Sequence, residues 1–241
     1  MLLSPDEIKA LEKFRLSTTR TDSLLSIRVD RLFHERTLLS YLEAVQQKIR
    51  AANKTVAASI FMKRYSFIAV MSLYAMSVWN KRLSLSFDRI WIETDDEEKA
   101  WLPTFRFEKL EYEVTDGNRN AWRQETIRLL FAEHIFPVIE QLQKMTKISP
   151  LTLWENTAIY IFWLYETLLK DEALEDINAR LRDDFQFVVQ QADGTLFGSY
   201  PKNPLGRFWK ETNGIRQRTT CCLHYQTAAR SHCRTCPVRR P

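Results

Sequence analysis

Four thiols crowd one end of this chain. Cys221 and Cys222 are adjacent, ten residues separate them from Cys233, and two more precede Cys236; no cysteine occurs earlier in the 241 residues. Random placement would scatter them, so their collection points to one site with four sulfur ligands. Thiolates are soft donors, which select zinc, copper(I) or an iron–sulfur cluster over magnesium or calcium. Structural zinc sites take two ligand pairs, each separated by two to four residues. Cys233 and Cys236 obey that rule. Cys221 and Cys222 do not, because adjacent side chains on extended backbone point to opposite sides. A [2Fe–2S] core spreads its ligand positions over two irons and tolerates vicinal ligands better; a four-cysteine zinc site stays open as the alternative.

The charge around the thiols has a chemical consequence. Residues 201–241 carry nine Lys or Arg and one acid, Glu211, whereas the preceding residues are slightly acidic overall. An oxidised [2Fe–2S] core with four thiolates is dianionic and gains negative charge on reduction. Nearby cations, with Arg216, Arg218 and Arg234 the candidates, favour the reduced state and raise the potential.

The stretch Arg218-Thr219-Thr220-Cys221-Cys222-Leu223-His224-Tyr225, followed by Cys233-Arg234-Thr235-Cys236, resembles the C-terminal motif of the FhuF-type ferric siderophore reductases. Leu153-Trp154-Glu155-Asn156-Thr157, opening a long apolar helix, is similar to a second stretch of that family. The resemblance implies that Cys221, Cys222, Cys233 and Cys236 hold a [2Fe–2S] cluster. It implies a helical body that binds an iron(III)–siderophore, and one-electron reduction that releases iron(II) in the cytoplasm. Trp154 and Asn156 become candidate chelate contacts, and Arg64 a candidate contact for an anionic ligand. The likeness reaches the C-terminal domain of aerobactin-type siderophore synthetases too, so the helical fold alone does not imply reduction.

Other readings follow from the same residues. A structural zinc tail with clustered Lys and Arg would suit a scaffold protein contacting nucleic acid, a partner the reductase reading does not expect. A metal-free cysteine-pair redox protein is a third reading. His224 and His232 lie inside the cysteine loop and could replace a thiolate, as in Rieske centres; His34 and His134 read as helix-surface or core residues. Neither a phosphate-cradling glycine loop nor a dinucleotide fingerprint occurs, so electrons must come from an external donor.

The elements that must position this chemistry read as mainly α (α+β): a helical bundle-like body over 1–193 with a small antiparallel hairpin at about 83–114, then a basic cluster-binding segment over 194–241. Ser4-Pro5-Asp6-Glu7 has the form of a capping box. Periodicity predicts two helices in 22–52 broken near 35–37, and one very apolar helix over 55–80. Asn118 starts a helix to about Lys147, kinked at Pro137. Ser149-Pro150 starts another to about Leu169, and 172–191 holds one or two more. The apolar runs 65–79 and 158–169 fall short of the ~20 residues a membrane span needs and read as core helices. No secretory signature opens the chain, which predicts a cytosolic protein with reduced thiols. Peripheral attachment to a membrane transporter is compatible with this sequence.

Overall fold

The computed structural model describes residues 1–98, 100–115, 117–212, 215–233 and 235–238. The fold is mainly α, with small antiparallel sheets. Helix α1 (Pro5–Glu12) starts on the expected capping box: Ser4 Oγ accepts from the Glu7 amide and the Glu7 carboxylate accepts from the Ser4 amide. Of the two helices predicted for 22–52, only the second forms, as α2 (Glu35–Ile49). The first is replaced by a short strand, β1 (Ile27–Arg28), and a 3-10 turn, Val29–Phe33. Pairing of β1 with a neighbouring strand overrides the local helical spacing.

The apolar segment 55–80 is two helices, α3 (Lys54–Tyr65) and α4 (Phe67–Trp79), broken at Ser66. The Ser66 hydroxyl donates back to the Met62 carbonyl at 2.6 Å and reaches Thr157 Oγ1 at 3.1 Å. Such back-bonding bends a helix. The segment is long and apolar enough to cross a membrane, but 89% of its most apolar window is buried inside the fold. It is the core, with α3 against α2 and two later helices, α6 (Phe136–Thr146) and α7 (Pro150–Leu168).

The predicted hairpin is β3 (Ile90–Glu93) with β4 (Thr104–Phe107), registered Ile90 to Phe107 and Ile92 to Phe105, and β1 adds to its other edge. These four residues face the core, as alternation requires. Residues 83–87, at the start of the expected hairpin, are not part of β3. Instead β2 (Lys81–Leu83) pairs with β5 (Tyr112–Val114) in a separate ribbon.

Asn118 caps α5 (Arg119–Leu130). In place of a kink placed at Pro137, a π-turn at Phe131–Ile135 widens the helix just before the proline, with the Phe136 amide donating to the Phe131 carbonyl and the backbone staying helical into α6. Ser149 precedes α7 without a side-chain cap. A 3-10 turn, Glu172–Ile177, leads to α8 (Asn178–Gln186), which ends in a π-turn, Phe187–Gln191. Asp184 on α8 is fully buried between Arg119 and Arg123 of α5, with N–O distances of 2.6 to 2.9 Å. Beyond it, β6 (Glu211–Thr212) and β7 (Ile215–Arg216) pair as a short ribbon leading into the cysteine segment.

Candidate metal centre

The cysteine segment is seated on α3 and α7. Ser59 and Lys63 stand four residues apart on one face of α3. The Ser59 hydroxyl donates to the Cys222 carbonyl at 2.8 Å, and Lys63 Nζ lies 3.8 Å from Cys222 Sγ. Helix α7 presents Glu155 and Asn156, both fully buried in an otherwise apolar helix. Glu155 accepts the backbone amides of Thr219 and Thr220, each at 2.6 Å, and the Thr220 hydroxyl. Asn156 donates to the Ser59 carbonyl and hydroxyl at 3.0 Å and accepts from Arg218 Nη2 at 2.7 Å. Arg218 also donates to the Thr220 carbonyl at 3.0 Å and lies 3.7 Å from Glu155. A carboxylate, an amide and a guanidinium thus fix the three residues before Cys221, and buried groups so satisfied hold one geometry.

The rest of the segment is tied by backbone. Ala52 donates to the Gln226 carbonyl and Ala228 to the Ile49 carbonyl, both at 3.0 Å, joining the loop to the α2–α3 corner. The Arg218 amide donates to the Thr235 carbonyl at 3.1 Å, closing the two cysteine pairs onto each other. The Cys236 amide donates to the Cys233 carbonyl at 3.0 Å, making the Cys-x-x-Cys stretch a turn. Leu223 turns the chain with a left-handed φ of 60°, and its amide meets Cys221 Sγ at 3.4 Å.

All four cysteines are free thiols. The vicinal pair differs in burial: Cys222 is buried and Cys221 is half-buried. The thiols lie close enough to influence one another's ionisation: Cys222 and Cys236 act on Cys221, and Cys222 and Cys236 act on Cys233. Burial pushes the Cys222 thiol up, yet Lys63, the His224 amide and Arg218 outweigh it and bring it below the ordinary thiol range. Burial and the adjacent thiols raise Cys221, and push Cys233 up to about 11. Among the described residues, no three His, Cys, Asp or Glu side chains already converge on one point. The four-thiol donor set fits a metal group that takes soft ligands, with Cys222 the thiol readiest to ionise.

The remaining sequence-derived candidates fall differently. Arg64 is half-buried at the end of α3, and its Nε has no partner among the described residues. Trp154 is buried, its indole N–H donating to Tyr200 Oη at 2.9 Å. Asn156 is not open to a chelate: it is fully buried and its amide is spent on Ser59 and Arg218. Arg216 turns away from the thiols to Glu166 and packs over Phe162 and Trp209; Arg234 lies outside the described residues. His224 Nδ1 meets the Ser231 carbonyl at 3.2 Å and His232 stacks on Tyr225. Ser59, Lys63 and Glu155 were missed from sequence. The available signal was the polar run Glu155-Asn156-Thr157 inside an apolar helix.

A family model described as ferric iron reductase FhuF-like transporter matches residues 59–199. The chain belongs to the FhuF family. The match begins at Ser59, which grips the Cys222 carbonyl, and includes Lys63, Glu155 and Asn156. It covers α7 and α3 from Ser59 onward, and stops before the thiols. Membership connects the chain to ferric iron reduction. No curated protein matches it.

Proposed function

We propose that this FhuF-family chain is a cytoplasmic ferric siderophore reductase in which Cys221, Cys222, Cys233 and Cys236 hold a [2Fe–2S] cluster. When bound, such a cluster supplies single electrons. The substrate is iron(III) held by hard oxygen donors; one electron makes it iron(II), whose lower charge density weakens that hold. The protein's own work is to keep the four thiols together, to favour negative charge on them and to bring the chelate near. Glu155, Asn156 and Arg218 do the first, and Lys63 with Arg218 the second. The external electron donor replaces the electron after each turnover.

The observation that carries this reading is the seating of the four-cysteine segment on α3 and α7, with Ser59 and Lys63 reaching Cys222 and Glu155 holding the residues before Cys221, on helices that the FhuF family model matches from Ser59 onward. The test is anaerobic reduction of a ferric siderophore, with iron(II) trapped by a ferrous-specific chelator. Wild-type protein should release iron(II) at a rate that Cys222→Ser abolishes while far-UV circular dichroism stays unchanged. Release that persists in metal-stripped protein would replace the proposal with cysteine-pair chemistry.

A further inference from the structure

Beside the cysteine seat lies a groove of about 920 Å³, bordered by the start of α7, the π-turn after α8 and residues 200–210. That volume is within the range of small-molecule sites. Tyr200 lines it, held by the indole N–H of the buried Trp154, and Lys202, Arg207, Lys210 and Thr219 line it too. The three cations are exposed, and the acid among the lining residues is Asp193. Thr219 is two residues from Cys221, so the groove edge and the first thiol residue are at most about 7 Å apart at Cα.

The groove is preformed. Asn203 donates to the Val188 and Ala192 carbonyls at 3.0 and 3.3 Å and accepts from the Leu205 amide. A Cβ on Gly194 would sit 2.4 Å from the Tyr200 carbonyl oxygen, and one on Gly206 would sit 2.7 Å from that of Val189. Glycine is therefore what lets the 200–206 strap lie flat on the end of α8. The smaller cavity lined by Ser84 and His134 shares no residue with the cysteine segment.

We infer that this groove binds the ferric chelate, and that Lys202, Arg207 and Lys210 select complexes of net negative charge. The inference rests on the reductase reading, which supplies the reason for a chelate next to the thiols. Clustered cations lining a concave wall concentrate anions and orient them. Tyr200, Leu151 and Pro201 give the apolar surface against which the chelate's ligand arms pack.

Gallium(III) matches iron(III) in charge and accepts no electron, so calorimetry with gallium complexes tests binding apart from reduction. The full-length chain should bind a trianionic gallium tris-catecholate more tightly than a neutral gallium tris-hydroxamate. Combining Lys202→Gln, Arg207→Gln and Lys210→Gln should weaken the trianionic complex by about tenfold and leave the neutral one within about twofold. Gln190→Trp, an exposed groove position, should weaken both by occupying space. Unchanged trianionic affinity in the triple variant, or unchanged binding in Gln190→Trp, would overturn the assignment. Selective binding by a chain shown to lack iron and sulfide would uphold the groove while refuting the reductase reading.

Discussion

Glu155→Gln isolates the device that holds the cysteine segment. The carboxylate is fully buried and uses both oxygens: one accepts the Thr219 amide, the other the Thr220 amide and hydroxyl. The isosteric amide retains one acceptor and turns an N–H₂ toward a donor, while Arg218, 3.7 Å away, loses its anionic neighbour. Hydrogen bonds to a charged group contribute about 1.5–3 kcal/mol each, and breaking a buried ion pair costs about 3–5 kcal/mol. A loss of about 3 kcal/mol is therefore expected, concentrated in the segment before Cys221. Local opening should become roughly a hundredfold more frequent. The assay is the rate of thiol modification in metal-free protein under native conditions, read beside far-UV circular dichroism. Faster modification of all four cysteines with unchanged helical content is the expected result. Thiol rates within about threefold of wild type would refute the claim that Glu155 anchors the tail.

Three further outcomes follow. Lys63→Gln removes the cation 3.8 Å from Cys222 Sγ and should lower the cluster midpoint potential by roughly tens of millivolts in redox titration; Arg216→Gln, whose guanidinium pairs with Glu166, should shift it less. Cys221, Cys222, Cys233 and Cys236 changed singly to serine should each lose or severely weaken the visible cluster spectrum without loss of helix. His134 is buried, hydrogen-bonded to Tyr65 Oη at 2.7 Å and the Leu85 carbonyl at 2.9 Å, and burial lowers its pKa from 6.5 to about 4. Below pH 6.5 the unfolded chain binds the proton and the folded chain does not, so stability falls as pH drops from 6.5 to about 4, by about 3 kcal/mol. Urea titrations at pH 7 and pH 4.5 should show His134→Gln losing less stability than wild type over that interval.

How much of this was legible follows from where the determining forces lie. The capping box at Ser4 and the helix begun by Asn118 are local, set within a turn or two, and were readable; the π-turn at Phe131–Ile135, ahead of the expected kink at Pro137, was not. The exchange of a predicted helix for β1 was not, because its cause is a strand sixty-odd residues away, Ile27 pairing with Ile92. The break at Ser66 depends on a hydroxyl that bonds backward to Met62 and across to Thr157. At the site, the spacing of the thiols announced itself; that Cys222 is buried and Cys221 only half-buried did not. Their partners did not announce themselves. Lys63 looked like one more cation at a helix end and Glu155 like one acid in an apolar run; only the docking of residues 218–223 across α3 and α7 gives them roles. Asn156 was selected as a chelate contact from the same stretch, but its burial makes it part of the seat.

The central claim concerns what the four thiols hold. Anaerobically purified protein, analysed for metal and acid-labile sulfide and examined by electron paramagnetic resonance before and after one-electron reduction, tests it directly. Equal iron and sulfide, with a paramagnetic signal that appears only on reduction, is the predicted result. A colourless protein with stoichiometric zinc and no signal in either state would contradict it.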